Sequence, residues 1–310
     1  MKRILIIRFS ALGDAAMLVP VVHVVAEQYP ETEITVLSHH RMHDLFAGMP
    51  ANVRFYGVDT HTDSLRTVVN RLGQFDIVAD MHDVWRSRYI RMRMRLRGAR
   101  VRRIHKGRWT KWCLTHGWIH RPLTPTIQRY ADVLRRAGMP VMLPEPKEQT
   151  KGTGVGIAPF AAHEGKRYPL EKMEEVVRML SERGEKVVLF GSKAEAKLLE
   201  QWAQRYPHVE NAAGQYTLRE EMERIKGLRV MLSMDSANMH LASLVGTRVV
   251  SVWGATHPYA GFAGWGQKES DCIQLDLPCR PCSVYGNKKC RFGDYRCMTI
   301  PPQDIVGKLV

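Results

Sequence analysis

The chain has 310 residues, 45% of them apolar, with 46 Lys and Arg against 31 Asp and Glu and a formal net charge of +15. That length and apolar content suffice for two domains, each with its own core. No apolar run approaches the ~20 residues that span a bilayer. The apolar start MKRILIIRFSALGD is interrupted by Arg8 and Asp14, so it reads as a first core strand and not as a secretory signal. A cytoplasmic protein with reduced thiols is the expectation.

Taken in chain order, RILIIRF (3–9) is a continuous apolar run of the kind found in buried parallel strands. SALGD follows as a strand-to-helix turn, and AAMLVPVVHVVAEQYP has helical spacing despite Pro20. EITVLSH, VRFYGVD and FDIVADMHD are further strands. The stretch PVMLPEPKEQTKGTG (140–154), with three prolines and two glycines, marks a boundary between domains 1–150 and 151–310. Beyond it GVGIAPF, KVVLFGS, RVMLSMDS and RVVSVWGAT read as strands. LEKMEEVVRMLSERG, EAKLLEQWAQRY, LREEMERIKG and NMHLASLVG read as helices, the first and last ended by Gly184 and Gly246. Strand alternating with helix, twice over, predicts an α/β protein of two doubly wound Rossmann-like domains facing a cleft.

Ligands of such sheets bind beyond the carboxyl ends of the strands, which directs attention to a few short segments. SALGD is not a GxGxxG fingerprint, so a dinucleotide is not expected there. Asp14 is either an acid favourable to a helix N-terminus or a carboxylate that takes a proton from a hydroxyl as general base. In MDSANMH (234–240), Asp235 and Ser236 cap a helix whose first N–H groups suit a phosphate. His240 lies on the first-turn face, as a structural histidine or as a contact to phosphate or sugar hydroxyl. Lys166, in HEGKRYP, is a solvated loop lysine or a group that neutralises a diphosphate. There is no Asp-x-Asp pair to hold Mg²⁺ and no P-loop. A departing diphosphate would be stabilised by fixed positive groups and helix dipoles, with no divalent metal or other cofactor required.

Together RILIIRFSALGD, GKRYPLEKMEEVV and SMDSANMHLASLVGTRVVSVWGATHP resemble the ADP-heptose:lipopolysaccharide heptosyltransferases, glycosyltransferase family 9. The likeness spans about residues 1–300 and weakens between 84 and 150. The resemblance implies the GT-B type of glycosyltransferase fold, an acceptor-binding first domain and a donor-binding second one. It implies an inverting, metal-independent enzyme that moves heptose, or a similar sugar, from an ADP-sugar to a lipopolysaccharide core. In it Asp14 is the general base, with Ser10 beside it on the acceptor side. Lys166 matches the donor-binding lysine, and Asp235, Ser236, Ala237 and His240 match an Asp-Ser/Thr-Gly-x-x-His donor motif. Gly254 and Thr256 match the loop after the next strand, and Gly191 sits where the adenosine approaches. The motif glycine is Ala237 here, and Ala161 and Ala162 stand where hydroxyl residues are frequent.

Residues 86–111 carry twelve Lys or Arg, and no acid occurs from Val84 to Ala131. Following the strand FDIVADMHD, the run reads as a crossover helix that aligns Trp85, Tyr89, Met92 and Leu96 and leaves Arg88, Arg91 and Arg95 on the exposed face. That face is a solvated one, or a nucleic-acid surface with Trp109, Trp112 and Trp118 to stack bases, or a surface for anionic headgroups. No nucleic-acid module accompanies it. The family likeness favours an anionic glycolipid acceptor and peripheral association with the inner membrane. Cys279, Cys282, Cys290 and Cys297 form C-x2-C-x7-C-x6-C, either a zinc site or free thiols.

Overall fold

The structure, a computed structural model, describes residues 1–149 and 151–310. Its contacts divide the chain into two units, Met1–Lys106 with Thr126–Glu145, and Gly107–Pro125 with Pro146–Val310.

The first unit opens with β1 (Lys2–Ile7), whose last four residues are fully buried. α1 (Leu12–Gln28) follows and runs through Pro20. β2 (Thr32–His39), a 3-10 turn, β3 (Val53–Val58), α2 (Leu65–Leu72), β4 (Ile77–Asp80) and α3 (Trp85–Leu96) come next. β5 (Arg100–Arg103) completes a parallel sheet of order β3-β2-β1-β4-β5. The chain then leaves for one helix of the second unit, α4 (Arg108–Thr115), and returns as α5 (Thr126–Arg136). One face of the sheet holds Leu5, Ile7, Leu37, Val58 and Val78 against Val68, Val69 and Leu72 of α2 and Ile90 and Met94 of α3.

The second unit carries β6 (Val155–Ala158), α6 (Leu170–Glu182), β7 (Val187–Leu189), α7 (Ala196–Arg205), β8 (Val209–Asn211) and α8 (Leu218–Lys226). It continues with β9 (Val230–Met234), α9 (Ala237–Val245), β10 (Arg248–Val252), β11 (Cys272–Ile273) and α10 (Pro302–Leu309). Its sheet is also parallel, in the order β11-β10-β9-β6-β7-β8. α6 and α9 stop where Gly184 and Gly246 turn to positive φ (74° and 86°), a conformation that glycine takes without a Cβ penalty.

Three expectations change. Residues 107–125 do not fold with the first half: Leu114 and Leu123 are buried with Ala260, and the Leu123 amide donates to the Tyr259 carbonyl at 2.8 Å. The boundary itself lies at Glu145/Pro146, within the proline-rich stretch. In α3 the side chains turned to the core are Ser87, Ile90 and Met94. Trp85, Met92 and Leu96 instead stand 64%, 52% and 74% exposed. Two carboxylates cause this rotation. Asp80, fully buried, accepts from Ser87 Oγ (2.9 Å) and Arg91 Nη1 (2.9 Å), and Asp83 accepts from the same Arg91 nitrogen at 2.9 Å and Arg88 Nε at 3.1 Å. These bonds draw the Ser87–Arg91 face inward. Arg88 and Arg91 are therefore ion-paired, Arg91 with only 18% of its side chain exposed, and of the three arginines Arg95 alone stands in solvent without such a pair among the described residues.

Candidate active site

In each sheet the chain reverses its direction of growth once, and the loops at that point splay apart to leave a crevice. In the first unit the reversal lies between β1 and β4. Asp14 is there, in the first turn of α1, ion-paired to Arg8, and Ser10 is exposed in the preceding loop. Arg8 is nearly buried, and its second terminal nitrogen donates to the Met81 carbonyl at 2.8 Å across the sheet. The Tyr130 hydroxyl donates to the Asp14 carbonyl at 3.2 Å, so α5 holds the same turn from outside the sheet. His82, after β4, accepts from the Phe9 amide through Nδ1 at 3.4 Å. Burial first, then the Arg8 and Lys106 cations, pushes the His82 imidazole down to about 3, so it is neutral at pH 7. A carboxylate oriented by a guanidinium, beside a neutral imidazole, suits proton abstraction from a hydroxyl.

In the second unit the reversal lies between β6 and β9. The loop after β6 ends in a 3-10 turn, Glu164–Lys166, and Lys166 Nζ sits 2.8 Å from Asp235 Oδ2 at the end of β9. Both are largely buried. Ser236 precedes α9, but its hydroxyl bonds Ser233 Oγ at 3.0 Å and makes no cap to the helix, so among the described residues the N–H groups that begin at Ala237 receive no side-chain cap. His240, 7% exposed, is one turn further along. The Thr256 hydroxyl, in a residue 1% exposed, has no hydrogen-bond partner among the described residues. A cation, a helix N-terminus and buried hydroxyl and imidazole groups at one switch point suit an oxyanion such as a diphosphate.

Close packing fixes these loops. The Ala255 amide donates to the Gly165 carbonyl at 2.8 Å, which ties the Lys166 turn to the loop after β10. A Cβ on Gly254 would lie 2.8 Å from that carbonyl and closer still to Met298, so only glycine fits. Gly286, at φ 74°, makes way for the Lys166 stem. Arg280 donates to the carbonyls of Trp253, Gly254, Thr256 and Leu275 and so clamps the Gly254–Thr256 loop. Gly191 lies two residues beyond β7 and packs against Leu199 and Glu195 of the next turn and helix.

Beside this loop is a cavity of about 340 Å³ lined by Leu114, Ile119, His257, Tyr259, Gln274 and Arg280, among others. Burial and then the Arg280 cation lower His257 to about 4. None of Lys166, Asp235 or His240 lines it, so the phosphate-type groups and this cavity do not coincide. The four cysteines Cys279, Cys282, Cys290 and Cys297 surround one small pocket with Arg280, Arg291 and Arg296. Among the described residues no three of their sulfurs lie within 4.8 Å of one another, whereas ligand atoms of His39, His40 and Asp59 do.

Arg8, His82 and Arg280 were not singled out by sequence as site residues. Arg8 does leave a signal, a cation closing an apolar strand, and His82 follows a strand end. Arg280, between two cysteines, leaves none.

The family model for glycosyltransferase family 9 (heptosyltransferase) matches residues 70–293, and the chain belongs to this family. It is 25% identical over 302 residues to lipooligosaccharide heptosyltransferase 2 of Haemophilus ducreyi, covering 83% of this chain and 84% of that one. Against lipooligosaccharide heptosyltransferase 2 of Campylobacter jejuni it is 22% identical over 161 residues and spans about half the length of that relative. Its fold matches the structure of Escherichia coli ADP-heptose lps heptosyltransferase II with a TM-score of 0.71 at 19% identity, over 100% of this chain and 97% of that one. Two parallel-sheet α/β domains are thus the family's architecture, as expected.

Proposed function

We propose that the protein is an inverting glycosyltransferase that moves heptose, or a close analogue, from an ADP-sugar to the core of a lipopolysaccharide. The observation that carries this is the Lys166–Asp235 pair at the uncapped start of α9, in a chain of family 9. In this reading the second unit binds the donor. Its diphosphate draws Lys166 from Asp235 and takes the α9 N–H groups, the Thr256 hydroxyl and His240, while the Gly191 loop receives the adenosine. Asp14 removes the proton of the acceptor hydroxyl. That oxygen bonds the anomeric carbon from the face opposite the departing phosphate, the bond to ADP breaks, and the configuration inverts. Lys166 and the helix dipole stabilise the charge on ADP, so the mechanism needs no divalent ion. Heptosyltransferase names among the relatives and the ADP-heptose enzyme among the structures support the sugar and the nucleotide.

The acceptor is an anionic glycolipid, and the protein meets it at the inner leaflet as a peripheral protein. Among the described residues no helix is long and apolar enough to cross a membrane. A thermal-shift panel of ADP, UDP, GDP, CMP and a short single-stranded DNA tests the donor. A ligand at a hundred times its Kd stabilises by about 2.7 kcal/mol. Stabilisation by ADP alone supports the reading; stabilisation by UDP or GDP in its place removes heptose, and by DNA alone removes the enzyme.

A further inference from the structure

Three of the chain's seven tryptophans fall within ten residues, at 109, 112 and 118. The chain buries Trp202 and Trp253 almost completely, yet Trp109 and Trp118 are each 67% exposed and Trp112 is 39% exposed. Exposed tryptophan at this density is foreign to an ordinary solvated surface. These rings are nonetheless ordered against one another. Trp109 stacks on Trp112 with centroids 5.1 Å apart, His116 stacks on Trp112 at 4.2 Å, and Trp118 meets Trp112 edge-on at 5.1 Å.

The base beneath them is rigid. α4 starts at Gly107, and its inner face buries Cys113 and Leu114. It closes with the Trp118 amide donating to the Cys113 carbonyl at 2.9 Å around Gly117, at φ 74°. Lys111 is buried with its ammonium 4.0 Å from the centre of the Phe262 ring, pinning the helix to the second unit. The exposed charges of Gly107–Pro125 are Arg108 and Arg121, and the segment has no acid.

We propose that α4 and the turn after it form a docking surface for an anionic phospholipid bilayer, Trp109 and Trp118 seating at the level of the headgroups with Arg108 and Arg121 against the phosphates. Tryptophan, apolar in body with one N–H donor, prefers that depth, and basic residues close to an anionic surface add to the attraction. Trp112 already stacks with Trp109 and His116 and meets Trp118 edge-on, so the cluster offers a wedge of ring edges and outer faces suited to insertion more than an open platform for stacking a sugar. The inference rests on the reading of the protein as an enzyme of lipid-linked glycans and supplies the surface on which it meets them. Arg88 and Arg91 of α3 do not supply it, because they are held by Asp80 and Asp83.

The test is sedimentation with phosphatidylcholine vesicles, with and without phosphatidylglycerol, together with tryptophan emission and its quenching by brominated acyl chains. The wild-type protein binds the phosphatidylglycerol vesicles, its emission shifts to the blue, and the bromines quench it. Trp109→Ala/Trp118→Ala weakens binding by about tenfold or more, equal to about 1.4 kcal/mol, and leaves melting and ADP binding unchanged. Arg108→Glu/Arg121→Glu removes the preference for anionic over zwitterionic vesicles. Vesicle binding of the tryptophan variant equal to wild type overturns the proposal, as does wild-type emission unmoved by vesicles. So does a variant that keeps vesicle binding but loses transfer to a lipid-free core oligosaccharide, which would make the cluster a sugar contact. Vesicle binding is read without turnover, so a wrong donor or sugar shows in the nucleotide panel and not here.

Discussion

Replacing Lys166 by methionine separates the structural from the chemical part of the second unit's site. The pair it breaks is largely buried, with 16% of the lysine and 6% of the aspartate side chain exposed. Removing one partner of a buried pair costs about 3–5 kcal/mol because the other charge stays behind without compensation. Here the lysine end reaches water, which hydrates part of the stranded carboxylate and lowers the figure to about 2–3 kcal/mol. For a unit of this size that is a fall of about 4–12 °C in its melting transition. Adding Asp235→Asn in the same chain removes the stranded charge and restores at least half of the loss. It does not restore ADP affinity. Losing a charged hydrogen bond to phosphate costs about 1.5–3 kcal/mol, or roughly ten- to a hundredfold in Kd. Calorimetric melting and titration with ADP of the single and double variants check both arms. A Lys166→Met protein that melts with the wild type and binds ADP as tightly would refute the reasoning at both levels.

Arg91→Ala takes from the buried Asp80 the guanidinium that pairs with it, while Asp83 keeps Arg88 and Arg103, and lowers stability by about 3 kcal/mol, whereas Arg95→Ala changes it by less than about 0.5 kcal/mol; urea unfolding of the two variants compares them. Asp14→Asn abolishes transfer and leaves the ADP-induced thermal shift in place, because Asp14 belongs to the first unit and the donor motif to the second; full activity of that variant would remove the base from Asp14. Gly254→Ala forces both the Gly165 carbonyl and the Met298 side chain to move and destabilises the protein by about 1–3 kcal/mol, read as a lower urea midpoint. His82 and His257 titrate near 3 and 4 in the folded chain against an ordinary 6.5. Between those values the unfolded chain binds more protons. The stability they protect is therefore complete above pH 6.5 and is lost as the pH falls below it, by about 1–2 kcal/mol per histidine at pH 5. His82→Gln flattens that decline, and an unchanged slope would show that His82 is not kept neutral.

The parallel strands and most helices of the second unit were legible because apolar runs of four to seven residues alternate with amphipathic stretches ended by glycine. β5 was not: RVRR offers one apolar side chain, and as an edge strand it is held by backbone bonds to β4 that leave its arginines free to stay outside. The face of α3 was misread for a related reason. Its spacing favours Trp85, Met92 and Leu96, but what decides the rotation is two carboxylates on the preceding strand and loop, which a periodicity argument does not weigh. Lys166 and Asp235 were each visible at a strand end; that they pair depends on β6 lying beside β9, a fact of topology. Arg280 acts through four carbonyls, and carbonyls have no letter in a sequence.

The excursion of Gly107–Pro125 into the second unit gives the chain an order of assembly that its linear map conceals. The hairpin around α4 leaves the ribosome with Leu114 and Leu123 bare, because Tyr259, Ala260 and Phe262, which cover them, are still unmade. At about 5–20 residues per second the interval is roughly seven to thirty seconds. During it the first unit's strands and α1 are complete, but α5 is joined to them through a segment that has nowhere to pack. A fragment cut at Glu145 would carry the same bare hairpin permanently. Expression of the first half alone is therefore expected to yield aggregate, while a fragment in which a short polar loop replaces 107–125 has the better prospect of folding.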